Sequence, residues 1–390
     1  MDRQKVKLKD ITYLITDGKH GDCVNQDSSG YYFISCKDVS NGSINYANAR
    51  QITQKDFEET DKRTNLQPND IVVTNSGTIG RMALVKDVPV TRRTTFQKSV
   101  AIIKPNSQKV LPIYLYYILQ HNVNYLVNNS VGSAQKNLLL STMRDFMLEV
   151  HSSLPTQRRI ASILSAYDNL IENNTRRIRL LEQMAENLYK EWFVRFRFPG
   201  HEKVEFENGL PKGWKVERYY NVAKITAGGD RPSIFSRHPT EKCTIPIYSN
   251  GLEDDGLYGF TNKAKIRKPC ITISARGTVG FVCLRRNSFV PIVRLLTVVP
   301  NEFLNVYYLY HSSKYNDLEG NGTSQQQLTV PMLNKRKLLI PSIDLLLLFE
   351  KMVKPIYDQI DTLKYQSANL SRQRDLLLPR LMSGKLEVKE

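Results

Sequence analysis

Groups capable of catalysis are scattered along this chain without the spacing that chemistry requires. The five cysteines (Cys23, Cys36, Cys243, Cys270 and Cys283) form no CxxC pair and have no histidine at ligand spacing, so a closed zinc site is not expected. They read as free thiols, buried or half-buried, in a reducing compartment. The six histidines, His20, His121 and His151 among them, show no HExxH spacing and read as surface or capping residues. No G-x-x-x-x-G-K-[ST] loop offers ATP a seat. Neither a cofactor glycine loop nor an Asn/Asp-Pro-Pro-aromatic segment marks a methyltransferase. Glu387-Val388-Lys389 has the look of a nuclease fragment but lacks an upstream acidic partner. No catalytic residue, no metal ligand and no cofactor bound by this chain are expected.

Recognition is a different chemistry, and here the sequence is richer. Against 38 Asp and Glu stand 55 Lys and Arg, a formal charge of +17 in 390 residues. Such a charge repels itself unless a polyanion is the working partner, and nucleic acid is the usual one. The basic residues are spread through the chain, which points to a folded basic face over a disordered arm. In a major groove, Arg pairs with guanine and Asn or Gln with adenine, while phosphate contacts set the register. Loop residues of those types in the first half are Lys19, His20, Ser76, Thr78, Arg92, Arg93, Gln135 and Lys136. In the second half they are Arg231, Arg276, Thr278, Arg294, Gln325 and Gln326. The loops that carry them could equally be plain structural turns. Trp192 and Trp214 read as packing residues where helix meets globule.

These candidates must be positioned by something, and the chain repeats its own framework. Ile71-Val72-Val73-Thr74-Asn75-Ser76-Gly77-Thr78-Ile79-Gly80 matches Ile271-Thr272-Ile273-Ser274-Ala275-Arg276-Gly277-Thr278-Val279-Gly280 at an offset of 200. Each reads as two strands around a tight Gly-Thr-x-Gly turn. Gly132-Ser133-Ala134-Gln135-Lys136-Asn137-Leu138 matches Gly322-Thr323-Ser324-Gln325-Gln326-Gln327-Leu328 at an offset of 190, as does 164–168 with 354–358. A repeat this long means two homologous halves in tandem. Strands are expected at 31–36, 71–74, 100–104, 245–248, 271–274 and 295–299, and helices at 112–119 and 304–310. Asn208-Gly209-Leu210-Pro211 is turn chemistry at the start of the second globule.

Two long helices complete the pattern. From an N-cap at Thr156 to Pro199, the residues Ile160, Leu164, Tyr167, Ile171, Asn174, Ile178, Leu181, Ala185, Leu188 and Trp192 alternate steps of four and three. That is a coiled-coil seam, and some 40 residues of it make a rod of about 60 Å. The second helix, at about 344–383, carries Ile356, Ile360, Leu363, Leu370, Leu377 and Leu381 on the same spacing. Pro355 and Pro379 predict a kink or a shorter helix near its ends. Packing the seams together, antiparallel, buries both. The longest apolar run, at 345–349, is far too short to span a bilayer. The first residues lack the apolar stretch of a secretory signal, so a cytoplasmic protein is expected.

Several segments resemble the specificity subunits of Type I restriction-modification enzymes. Asp17-Gly18-Lys19-His20 followed by Tyr32-Phe33-Ile34-Ser35-Cys36-Lys37-Asp38-Val39 is similar to the opening of that family's target recognition domain. Leu210-Pro211-Lys212-Gly213-Trp214 is similar to the start of its second one, and Glu191-Trp192-Phe193-Val194-Arg195-Phe196 to the close of its central helix. Arg374-Asp375-Leu376-Leu377-Leu378-Pro379-Arg380-Leu381-Met382-Ser383-Gly384-Lys385-Leu386 resembles its C-terminal ending. The resemblance implies an α+β fold with two tandem β-rich target recognition domains, separated by two long helices that form an antiparallel coiled coil. The domains would span 1–155 and 199–342, with the helices at 156–198 and 343–390. It also implies the partners: double-stranded DNA with a bipartite asymmetric target, two modification subunits and two restriction subunits, and no membrane. S-adenosylmethionine, ATP and Mg would sit on those subunits, and this chain would catalyse nothing. The helices would set the spacer between the half-sites, more than one B-DNA turn of roughly 34 Å. A stand-alone DNA-binding or regulatory protein of the same fold is the alternative, and a complete methyltransferase or nuclease a third reading.

Overall fold

Two β-branched runs, 200 residues apart, become the central strands of two separate sheets. The computed structural model describes residues 3–40, 42–132, 136–316 and 327–388. They fall into two compact units, one made from Met1–Asn173 with Gln366–Glu390 and the other from Asn174–Tyr365.

In the first unit the strands are β1 (Arg3–Lys7), β2 (Thr12–Asp17), β3 (Tyr32–Ile34), β4 (Arg50–Gln51), β5 (Ile71–Thr74), β6 (Met82–Leu84), β7 (Thr94–Phe96), β8 (Val100–Pro105) and β9 (Met147–His151). Helices α1 (Gln54–Thr64) and α2 (Pro112–His121) lie between them in sequence. The main sheet is antiparallel in the order β2-β8-β5-β6. Every residue of β5 is buried, because the sheet is covered on both faces. Ile71, Val73, Ala101 and Ile103 share a core with Tyr114, Leu115 and Ile118 of α2. Val72, Val100 and Ile102 turn the other way, towards Ile34, Val39 and Phe96. Double-sided burial is why the run is unbroken in its apolar character instead of alternating. A three-stranded sheet, β4-β3-β7, has one parallel pair, and β1 pairs with β9.

The second unit rebuilds this plan. Its strands are β10 (Lys215–Arg218), β11 (Ala223–Ala227), β12 (Ile245–Tyr248), β13 (Leu257–Thr261), β14 (Cys270–Ile273), β15 (Val282–Arg285), β16 (Leu296–Pro300) and β17 (Lys337–Ile340), with α4 at Val306–Tyr315. Again an antiparallel four-stranded sheet has the order β11-β16-β14-β15. β13 pairs with β12, which runs parallel to Val290–Pro291, and β10 pairs with β17. The internal repeat is therefore a repeat of topology. The Asn208-Gly209 signal makes a two-residue hairpin, Glu207 opposite Leu210, with both turn residues at positive φ. Trp214 packs among Phe193, Phe196 and Phe198, and Trp192 against Phe349, so both tryptophans are packing residues.

The long helices are α3 (Leu154–Tyr189), which closes in a π-turn at Lys190–Val194, and α5 (Ile343–Met382). All ten expected seam positions of α3 are buried or half-buried, as are Ile356, Ile360, Leu363, Leu370, Leu377 and Leu381 of α5. Within the first unit Ile160 and Leu164 share a core with Leu377 and Leu381. There Arg374 also donates to the Asp168 carboxylate at 2.5 Å, and Tyr117 Oη donates to its other oxygen. Within the second unit Ala185 and Tyr189 share a core with Phe349, Val353 and Ile360. Early α3 thus meets late α5, and late α3 meets early α5, which is antiparallel packing. Three expectations need correcting. Helix α3 begins three residues earlier than an N-cap at Thr156 would allow. Ser153 caps it, its Oγ accepting from the Thr156 N–H at 3.4 Å, and Pro155 takes a first-turn position where no N–H is needed. Neither Pro355 nor Pro379 ends α5, since packing of the seam outweighs one lost backbone bond at each. His151 and His311 are core and not surface, 2% and 3% exposed; His151 lies beside Tyr114, and burial together with Arg3 pushes its imidazole towards the neutral form.

Candidate nucleic-acid interface

In an antiparallel sheet of order β2-β8-β5-β6, the end of β2, the start of β8 and the turn between β5 and β6 share one edge. Three loops meet there. The chain leaving β2 passes so close to the turn before β8 that a Cβ on Gly18 would come within 2.0 Å of the Phe96 carbonyl oxygen. Only glycine fits. Lys19 N–H then donates to Phe96 O at 2.8 Å, and Asn75 N–H donates to Ser99 O at 3.0 Å, joining the Gly-Thr-x-Gly turn to the same corner. Within that turn Gly77 and Gly80 both have positive φ, and Gly80 N–H closes it on Thr74 O at 2.9 Å. The fourth piece is the segment of the second repeat match. Leu138 N–H donates to Asn75 O at 2.8 Å, and Asn137 bridges Ser76. Two motifs some 60 residues apart in sequence are one surface in space.

The second unit assembles the same surface from its own copies. A Cβ on Gly228 would come within 2.8 Å of the Ile292 nitrogen, so the loop after β11 hugs the turn before β16. Gly277 and Gly280 have positive φ, Gly280 N–H donates to Ser274 O at 3.0 Å, and Leu328 N–H donates to Ala275 O at 3.0 Å. Asn250 fastens this corner, accepting from Ala275 N–H at 2.8 Å and donating to Val293 O at 2.6 Å. Arg276 leaves the turn into solvent, with one N–H on Gln327 Oε1 at 3.2 Å.

The residues singled out from sequence fare unequally. His20, Thr78 and Lys136 in the first unit, and Arg231, Arg276 and Arg294 in the second, are exposed at these sheet ends. Thr278 is there too, half-buried, with a hydroxyl that has no partner among the described residues. Lys19 is present but occupied: its ammonium lies 3.3 Å from Asp56 and 3.6 Å from Glu59 of α1. Ser76 is buried under the second loop. Arg92 and Arg93 are exposed but sit before β7, at the end of that strand remote from the cluster. Strand pairing gives the place of Arg294 to Ser99, not to either of them. Gln135, Gln325 and Gln326 lie outside the described residues. Sequence reading missed Lys37, Lys98, Lys265, Asn250 and Gln327. Lys37 is carried beside the cluster because the Cys36 N–H donates to Ser99 Oγ at 3.2 Å. Among the described residues, Lys37, Lys98, Lys136, Arg231, Arg276 and Arg294 make no ion pair with a carboxylate. Charge left uncompensated on a loop surface suits a polyanion.

The chain that builds this sheet end twice matches a known family. The family model for the Type I restriction modification DNA specificity domain fits residues 2–183 and again 211–362. The chain belongs to that family. Over 388 residues it is 27% identical to the Type I restriction enzyme MjaIX specificity subunit of Methanocaldococcus jannaschii, covering 92% of this chain and 87% of that one. It is 22% identical to the HindI specificity subunit of Haemophilus influenzae, covering 73% and 80%. The crystal structure of a Type I S subunit from M. genitalium has the same fold, with a TM-score of 0.58 over 97% of this chain and 96% of that chain at 15% identity. No helix among the described residues of this specificity-family chain is long and apolar enough to cross a membrane.

Proposed function

We propose that the chain is the DNA-reading subunit of a cytoplasmic Type I restriction-modification assembly and has no catalytic site of its own. Each unit reads one half of a bipartite, asymmetric duplex target through the loops at the end of its four-stranded sheet. Two modification subunits, carrying S-adenosylmethionine, methylate adenine in that target, and two restriction subunits add ATP- and Mg-dependent translocation and cleavage. One observation carries the reading: the same corner, with the same two loops and uncompensated cations, is built twice in a family of DNA specificity domains. Duplicate readers with different side chains are what an asymmetric two-part target requires.

Methylation-aware sequencing of the host genome tests this directly. A two-part adenine-methylated motif is expected, and it should vanish when this gene is deleted. Copurification should recover the modification subunits with the chain, and the isolated chain should transfer no methyl group from S-adenosylmethionine. A methylation pattern indifferent to the deletion, or transfer by the chain alone, would overturn the proposal.

A further inference from the structure

Beside the reading corner of the second unit lies a pocket of about 360 Å³ lined by Arg231, Phe235, Arg237, His238 and Tyr258. We propose that it is a clamp for a DNA backbone phosphate flanking the second half-site; this rests on the DNA-reading function above. The pocket is built, not incidental. Residues around Ser236 run as an extra edge beside β13, with Ser236 N–H donating to Phe260 O at 2.9 Å and Phe260 N–H returning to Ser236 O at 2.8 Å. Gly259 leaves room for the aromatic floor, since a Cβ there would come within 2.4 Å of the Phe235 ring. The guanidinium of Arg231 stands 4.8 Å from the centroid of that ring, held by attraction to its π-face. An arginine stacked this way keeps its N–H edges free and oriented, which suits a planar or tetrahedral oxyanion. The same stacking occupies one face of the Phe235 ring, and three basic side chains in one pocket favour an anion over a base.

The charge balance agrees. Among the described residues, Arg231, Arg237 and His238 make no ion pair with a carboxylate, although Asp230 is next in sequence to Arg231. The first unit handles the equivalent edge differently. There the bridge Asn25–Ile52 takes the place of Ser236–Phe260, and Arg50 is saturated by Asp22, Asn25 and the Cys23 carbonyl. The Arg50 hydrogen bond holds the Asp22 carboxyl below its ordinary range. One reader closes this edge with its own anion, and the other leaves it open to one from outside.

The test uses the full-length chain in the assembly in which it purifies, with two probes: a duplex bearing the methylation-mapped target and one with that target scrambled. Arg231→Gln combined with Arg237→Gln should weaken both duplexes several-fold alike. It should also reduce the slope of log affinity against log salt by about one, the signature of one lost phosphate contact. The recognised sequence should stay unchanged. Arg237→Lys should keep the slope, and unaltered melting of the variants shows that they fold. Three outcomes overturn the clamp: an unchanged slope, a second half-site relaxed at one base position, or DNA affinity retained while the modification subunits no longer copurify. The last would make the pocket a seat for an acidic protein surface. If the unmutated assembly binds neither duplex, the specificity function itself falls, an outcome distinct from all three.

Discussion

His311 lies 3% exposed in the core of the second unit, hydrogen-bonded to Tyr357 Oη at 3.0 Å and stacked on Tyr189. Burial pushes its imidazole pKa down to about 3. The unfolded chain takes up this proton near pH 6.5, so below that pH the unfolded state binds a proton that the folded state refuses. Stability is therefore complete above pH 6.5 and falls on acidification, by up to about 1.4 kcal/mol per pH unit. Urea denaturation between pH 5 and 7 should show this slope and its loss in His311→Gln; equal slopes in both proteins would refute it. At the reading corner, Arg276→Ala should cost about 1–3 kcal/mol of discrimination at one base and relax only the second half of the methylated motif. Sequencing that relaxes the first half instead would contradict the placement. Residue type alone exposed the arginines of the second corner, because they sit on loops recognisable by their glycines. It could not show that Lys19 is paired, since only folding brings Asp56 and Glu59 from α1 to its ammonium. Lys37 and Lys98 were invisible because their place at the corner depends on Ser99 and on strand pairings between distant segments.

The elements that could be read from sequence are those whose signal is local. A heptad is a local period, so both long helices and their buried faces were legible from spacing alone. The prolines misled, because the cost of one missing N–H is local while the seam that outweighs it runs the length of α5. Strand positions were largely visible, yet sheet order was not, since β2 reaches β8 across some 85 residues. If the helices set the spacer of the DNA target, adding one heptad to each of α3 and α5 adds about 10 Å of rise. The methylated motif should then keep both half-sequences and gain about three base pairs between them at 3.4 Å per step. An unchanged spacer would remove the helices from that role.

At the scale of the molecule, duplication makes the readers separable. Exchanging residues 1–150 for the corresponding segment of another specificity subunit should alter one half of the methylated motif and leave the other intact. Altered methylation at both halves would show that the units do not read independently. The tandem character was plain in the two offset matches, 200 and 190 residues, whereas the way the chain is parted between the units was not. The first unit is completed by the chain's latest segment: Leu381, Met382 and Val388 are buried in the same core as Leu8 and Ile11. The second unit is made up of 174–365. Because 366–390 follow the whole of 174–365 in sequence, the first unit can complete its core only after every residue of the second has been made, against the usual order of earliest sequence first. The amino-terminal reader must wait, with its apolar helix face open, until the last turns of α5 emerge from the exit tunnel.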